Sequence, residues 1–489
     1  MQKIGRASAQ VAGRFLFLGV SVQILLGICW GVRSFGIFPE FGDSYTWLKA
    51  SETLVCDDYM GIGYPLFLML VKGIESISSI PYTFFVYTVQ ILIAFYAGVV
   101  FLRACGVTGK KIFLCWGSLA LLTFPCAMQS HLAVLPNSPG YSFLLLELSA
   151  VIRILRQDAV AEDGETTAPA RPLHGLFEAG IWWALSTLCV VENLYLGLVP
   201  LIVLWLIHLW QLRSRKTEKK RVGRELLLLL AMAGILFTLV PMWQTPGSYG
   251  KAENTVSAAM MRRFSWTHMR EEEEYDEWPE QLRTWMTWKE MRNAGYYAGT
   301  MESGIQKTLE DRFGKAEAQK IFREYAGYHL KTYTSDNIHQ IAWDCLGYAM
   351  PMVLLQLLLD GRGYDSFSGR NVDIMMTGDP KLTELLLKYS SWWFLSGIAV
   401  VVVSGMICGI IAMLRQKKEK TVPDRSLFWK ISGVCVITAA VMILWYTMRD
   451  AGCLDYKNGL LPGSLWLVGM ILWTDRTIST GDTEDNPEK

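Results

Sequence analysis

Charge is what this chain has least of. Asp, Glu, Lys and Arg make up 19% of its 489 residues and almost cancel, leaving a formal net charge of +1. So even a balance offers no basic surface for nucleic acid and no field to gather strongly acidic substrates. The chain has ten cysteines but no CxxC and no other metal-ligand spacing. Most lie in apolar runs, where a thiol behaves as a small hydrophobe, so neither a disulfide framework nor a structural zinc is expected. GxxxxGK[ST], GxGxxG, HExxH and GxSxG are all missing. ATP-driven transport, nicotinamide chemistry, zincin and α/β-hydrolase readings thus lose their usual anchors. Internal repeats with a period of about 20–50 residues are missing too, and with them the inverted halves of many transporters.

Apolar surface is what the chain has instead: 52% of residues are hydrophobic and 12% aromatic. Runs long enough to cross about 30 Å of hydrocarbon at about 1.5 Å per residue lie at 12–31, 82–103, 111–128, 138–156, 175–192, 194–211, 224–243, 390–414, 427–447 and 459–475. This predicts an all-α polytopic membrane protein with about ten transmembrane helices. Lys3, Arg6 and Arg14 precede the first run, but no small-residue cleavage site follows it, so it is expected to stay as an uncleaved helix. Basic residues in short loops stay cytoplasmic. Arg103, Lys110 and Lys111, then Arg153 and Arg156, then the seven Lys and Arg of 213–224, then Arg415, Lys417, Lys418 and Lys420 all fall on one side if ten spans leave both termini inside.

Four parts follow: an N-terminal membrane module over 1–243, an extracytoplasmic domain over 244–389, C-terminal spans over 390–475 and a polar, disordered cytoplasmic tail over 476–489. The segment 337–359 is apolar in its second half, but a further span would put one of the two last basic clusters outside. Asp344 and Pro351 also speak against a lipid-facing helix, so it is counted with the 244–389 domain. That domain shows helical periodicity and no clean alternation, and is expected to be mostly helical. The run from Glu271 to Glu274 reads as a solvated helix face or helix start.

Chemistry is expected in the first outer loop, 32–81, above all in the stretch from Phe41 to Leu70. It keeps three carboxylates, Asp43, Asp57 and Asp58, beside lipid, where an ionisable group is costly unless it faces a cavity or a partner. Asp43 or Ser44 would equally serve as the N-cap of a juxtamembrane helix. Asp57 and Asp58 suit a hard divalent cation, but the same pair is ordinary turn chemistry, and no further ligand has readable spacing. No cofactor is therefore assigned, with a divalent metal as the lesser alternative. Glu192 and Asn193, in the turn ENLYLG, and His131, in MQSHLAVLPNSPG, are polar residues expected near the same outer mouth. Glu147 stands apart as an ionisable residue in mid-span.

The order of Gly42-Asp43-Ser44-Tyr45, Gly63-Tyr64-Pro65-Leu66-Phe67-Leu68 and Gln90, with Asp455-Tyr456-Lys457-Asn458-Gly459-Leu460-Leu461-Pro462 opening the last span, resembles the GT-C class of membrane glycosyltransferases. Protein O-mannosyltransferases and the lipid A aminoarabinose transferase belong to this class. The likeness covers the first 210 residues best, extends to 390–475 and says little about 244–390. It implies transfer of a sugar from a polyprenyl-phosphate donor to a glycan, lipid or protein acceptor on the outer face of a membrane of bacterial plasma-membrane type. Asp43 takes the place of the family's catalytic base or acceptor-orienting group, with Asp57, Asp58 and Glu192 as acceptor-side or secondary acids. Relatives often carry a basic residue just before the loop's proline, and Met60-Gly61-Ile62-Gly63 has none. The donor phosphate is then left to Arg262, Arg263, Arg449 or Lys457, whose other reading is snorkelling to lipid headgroups. A membrane protein that binds or translocates a glycolipid or polymer intermediate without catalysis is the alternative function.

Overall fold

The computed structural model describes residues 2–35, 44–56, 60–107, 111–162, 172–212, 219–243, 272–290, 305–351, 380–416, 425–450 and 460–482. The named helices in them are α1 (Gln2–Ser34), α2 (Ser44–Thr53), α3 (Gly63–Ser78), α4 (Tyr82–Cys105), α5 (Lys111–Thr123), α6 (Pro125–His131) and α7 (Asn137–Glu162). They continue with α8 (Pro172–Cys189), α9 (Asn193–Leu196), α10 (Leu198–Gln211), α11 (Lys219–Trp243), α12 (Glu272–Asp276), α13 (Glu280–Arg283) and α14 (Ile305–Phe313). The last are α15 (Lys315–Thr332), α16 (Thr334–Ala349), α17 (Pro380–Gln416), α18 (Arg425–Asp450) and α19 (Leu460–Asp482). Among the described residues there is no strand, and Met60 pairs with Val190 in an isolated antiparallel bridge.

Each apolar run read from the sequence is helical. Seven helices are long and apolar enough to cross a membrane, or eight if the bent pair α5–α6 makes one crossing. That pair turns by 78°, and the cause is local. Pro125 pushes Phe124 out of the helical region, to φ −69° and ψ 141°, and then opens the next helix at a position where a missing N–H costs nothing. The apolar part of α19, Leu460–Asp475, is shorter than the others.

The chain divides into two compact units, 1–244 with 374–441 and 460–489, and 245–373 with 442–459. In the first unit α7 is the core element: 89% of its apolar window is buried, against 17% in α11. Leu227, Leu230, Ile235, Phe237, Leu239 and Met242 of α11 are left exposed, the pattern of a helix whose outer face meets lipid rather than protein. Helix α1 packs on α17, where Trp30 Nε1 donates to Thr383 Oγ1 at 2.9 Å and the Tyr389 hydroxyl to Gly19 O at 3.0 Å. Tyr141 and Ser464 join α7 to α19 through their hydroxyls.

The second unit has a small core of its own. Tyr275, Trp278, Leu282, Met286, Leu309, Ala318, Ile321 and Tyr325 pack together, with Trp285, Trp288, Tyr328 and Tyr333 around them. Tyr325 donates to Leu282 O and Tyr275 to Met286 O, so two phenols tie the 275–286 segment to itself and to α15. Thr287 and Glu290 exchange backbone and side-chain bonds as a capping box, the Thr287 N–H reaching Glu290 Oε2 at 2.8 Å and the Glu290 N–H reaching Thr287 Oγ1 at 3.3 Å. Helix α16 ends at Ala349, before Pro351, and rests on residues 446–447 through Tyr348 against Tyr446 and Cys345 against Thr447. It is not among the helices apolar enough to cross.

Candidate functional site

Residues of the first loop fold into a helix pair. Trp47 of α2 meets the ring of Tyr64 of α3 edge-on at 5.7 Å, and Lys72 reaches Glu52 at 3.2 Å. Helix α2 stops at Leu54, which holds the left-handed conformation at φ 54° that a branched residue rarely adopts. At the far end of α3 the Glu75 carboxylate accepts the Tyr82 N–H at 3.2 Å, satisfying one of the donors that the first turn of α4 leaves unpaired.

This pair is inserted into the bundle. The Tyr64 hydroxyl donates to Gln90 Oε1 at 3.0 Å, and Gln90 Nε2 donates to His131 O and Ala133 O, each at 3.0 Å. Gln90 lies eight residues into α4, about 12 Å along the helix from its first residue. The His131 carbonyl is free for it because α6 ends there, and a helix end leaves its last C=O groups without partners, while Ala133 O, in the turn beyond, also accepts the Leu135 N–H at 2.9 Å. One glutamine thus closes the broken α5–α6 element and anchors the GYPLFL tag in the same step. Ser44 Oγ donates to Val134 O at 2.9 Å, so the residue that follows Asp43 is pinned to the α6–α7 turn. His131 Nδ1 lies 2.7 Å from Ser138 Oγ, at the start of α7.

A second anchor holds the other end of the loop. Met60 bridges to Val190, and a Cβ on Gly61 would stand 2.1 Å from Leu188 O, so only glycine lets the two backbones come this close. Just beyond, Asn193 Nδ2 donates to Ser186 Oγ at 2.7 Å, Ser186 Oγ donates to Gly140 O at 2.8 Å, and Trp183 Nε1 donates to Asn193 O at 3.0 Å. The half-buried Glu192 sits on the same turn between α8 and α9.

Asp43, Asp57, Asp58, Arg262, Arg263 and Lys457 lie outside the described residues. Arg449 belongs to α18, in a stretch where only the backbone is described. The structure does bring together the neighbours of the loop acids, Ser44 with Val134 and Met60 with Val190. Among the described residues no three His, Cys, Asp or Glu are grouped to hold a metal ion.

Sequence reasoning missed a second polar cluster in this unit. Arg221 Nη2 lies 2.7 Å from Asp158 Oδ1 and Arg221 Nε 2.9 Å from Glu225 Oε1, while His208 places Nδ1 2.7 Å from Glu225 Oε2 and Nε2 3.0 Å from Asp158 Oδ2. The Nε2 contact is an ion pair without a straight hydrogen bond. Two carboxylates, a guanidinium and an imidazole thus close a ring across α7, α10 and α11. Arg221 looks like one more basic loop residue in the sequence. The signal available was Arg221–Glu225 at i,i+4 opposite a histidine inside an apolar run.

No family model, curated protein or solved structure matches this chain. Several apolar helices mark it as a membrane protein. What the Tyr64–Gln90–His131 hub can do chemically is hold a polar loop at a fixed depth in an apolar bundle. Its hydroxyl, amide and imidazole groups are neutral and already oriented.

Proposed function

We propose that this chain is a GT-C-type membrane glycosyltransferase that moves a sugar from a polyprenyl-phosphate donor to an acceptor at the membrane surface. The observation that carries the reading is the convergence of three stretches that bear the family resemblance. Ser44 of GDSY, Tyr64 of GYPLFL and Gln90 all bond to the 131–134 turn or to one another. An enzyme that keeps its catalytic acid on a loop needs that loop held by a rigid frame, and buried hydrogen bonds supply the rigidity. In this reading ten spans carry the chain, both termini are cytoplasmic, and the second unit is extracytoplasmic.

The residues take simple roles. Asp43 accepts the acceptor hydroxyl's proton as that oxygen attacks the anomeric carbon, and the sugar–phosphate bond breaks with the electron pair going to the polyprenyl phosphate. A phosphate leaving group needs no strong general acid. Arg262, Arg263, Arg449 and Lys457 are the groups proposed to meet the donor phosphate, and Asp57, Asp58 and Glu192 the acids on the acceptor side. The test uses purified full-length protein in lipid with a panel of polyprenyl-phosphate sugars, reading release of polyprenyl phosphate. Wild type is expected to turn over one donor, and Asp43→Asn to lose about 100-fold or more in rate, the range for a lost general base. Equal turnover by the two proteins removes Asp43 from the mechanism, and no turnover of any donor removes the reaction.

A second reading, translocation of a glycolipid, draws on Glu147. This carboxyl is fully buried in mid-helix, as transport paths require and a surface enzyme does not.

A further inference from the structure

Helix α16 is built inside out. Asn337, Asp344 and Tyr348 fall on its buried side, while Ile338, Trp343 and Leu346 stand 62%, 42% and 47% exposed, with Ala342 exposed among them. A helix that turns one face to water puts its apolar stripe inward and its polar residues outward. Here the polar side is the one that is held. Asn337 Nδ2 donates to Tyr333 O at 2.8 Å and lies 3.2 Å from His329 Nδ1, which fixes the corner between α15 and α16. Among the described side chains of the helix, only Asp336 is both acidic and exposed, and it belongs to the first turn.

What α16 rests on sets its depth. The apolar part of α18, Leu427–Thr447, has 21 residues, about 31 Å of helix and so the thickness of a hydrocarbon core. Tyr446 and Thr447 therefore stand at the edge of that core, and Arg449 and Asp450 follow at once. The rings of Tyr348 and Tyr446 have centroids 6.0 Å apart, and Cys345 Sγ lies 3.5 Å from Thr447 Oγ1. These two contacts pin the C-terminal half of α16 at the level where acyl chains give way to headgroups. On α18, Leu444 and Trp445 are exposed at the same level. Tryptophan is a residue this layer favours, and α16 and α18 each present one there. At 16 residues, about 24 Å, α16 is too short to cross a bilayer but long enough to lie along its surface.

We propose that α16 is an interfacial helix, with Ile338, Ala342, Trp343 and Leu346 seated on the acyl chains of bilayer lipid and Asn337, Asp344 and Tyr348 turned to the protein. Lipid is the occupant because the end of a membrane-spanning helix holds this face at bilayer depth. A second protein would have to reach it through the headgroup layer. The sequence stays apolar past the helix, with seven of the eight residues from Met352 to Leu359 hydrophobic, as a surface-lying segment requires. This inference rests on the chain being a membrane protein and not on the glycosyltransferase reading.

Photo-crosslinking of the full-length protein in vesicles of phosphatidylethanolamine and phosphatidylglycerol tests it. A benzophenone amino acid takes the place of Ile338, Trp343 or Leu346 in turn. The control position is Lys320 of α15, whose exposed ion pair with Glu317 marks a face turned to water. All four side chains point outward, so each variant should keep the thermal midpoint of wild type. After irradiation, mass spectrometry reads what each labelled peptide has gained. Lipid adducts are expected at all three α16 positions, and none at Lys320. Crosslinks into Met352–Leu359, into another part of the chain or into a second copy, without lipid adducts, overturn the proposal, because protein then covers the face. No adduct at any α16 position overturns it as well, since the face then meets water. Equal lipid labelling at Lys320 does the same, because the adducts then report chance encounter.

Discussion

Two polar clusters lie buried in the same helical unit, and they are built on opposite plans. Around Gln90 every group is neutral, and the amide's oxygen and nitrogen are matched to a phenol and to two carbonyls at the end of α6 and in the turn after it. Around His208 two carboxylates, a guanidinium and an imidazole face one another within 3.0 Å. A neutral network degrades in steps, because each lost partner leaves one unsatisfied dipole. A buried charge ring does not, because removing one member leaves a whole charge unbalanced in a medium that screens it poorly. The hub therefore suits a position where a loop must be held, and the ring suits a junction that is either closed or open.

The ring gives the largest expected effect. Arg221→Met should lower the stability of the full-length protein by about 3–5 kcal/mol, the cost of breaking a buried pair from one side. A large fall in thermal midpoint in detergent is the measurement. Joining Asp158→Leu to Arg221→Met removes the stranded charge along with its partner. The double variant should recover most of the loss, since apolar replacement of a buried ion pair is often neutral. Losses that simply add would mean that the four groups do not act as one unit, and the contrast between the clusters would go.

The hub should answer less steeply. Gln90→Leu keeps the volume but strands the Tyr64 hydroxyl and the carbonyl of His131, while Ala133 O keeps the Leu135 N–H, costing about 1–3 kcal/mol for unsatisfied buried groups. Its second signature is local. Proteolysis within residues 44–78 should speed up while cleavage in 305–349 stays unchanged, because only the inserted helix pair loses its anchor. If both segments open together, the hub is holding the whole chain rather than the loop.

How much of this could be read beforehand follows from which physics is local. Apolar runs long enough to cross a bilayer are a one-dimensional signal, and each of them is helical, though 111–128 and 194–211 are each divided between two helices. The break at Phe124–Pro125 is equally local, yet the sequence reading carried one straight span through it, because a run of hydropathy hides what a single proline does to its predecessor. Gln90 and Tyr64 were singled out through resemblance, and the geometry adds that one bonds to the other. Ser138, Ser186 and the Asp158–His208–Arg221–Glu225 ring were not seen. Their partners are 63, 46 or 17 residues away, or stand across a turn, and nothing in the order of residues says which helix faces which. Arg221 in particular reads as a loop cation until Asp158 is placed beside it.

An exposed ion pair in the second unit supplies the control for both clusters and the smallest effect. Glu290 lies 2.5 Å from Arg312, with roughly a third or more of each side chain exposed. Its hydrogen bond to Arg312, followed by the Thr287 N–H, holds its carboxyl down at about 2, against an ordinary 4.5. A depressed carboxyl stabilises the folded chain fully above its unfolded value and loses that contribution as pH falls toward the folded one, so the window runs from about pH 4.5 down to about pH 2. Solvent screening leaves such an exposed pair only a small part of what its shift alone implies. Glu290→Gln should therefore lower the thermal midpoint slightly at pH 7, with the gap closing as pH falls through that window and shrinking in high salt. Arg221→Met should keep most of its deficit in the same salt, because Asp158, Glu225 and His208 are buried and only the Arg221 side chain, 27% exposed, meets solvent. If salt erased both deficits alike, the ring would be as solvated as the surface pair.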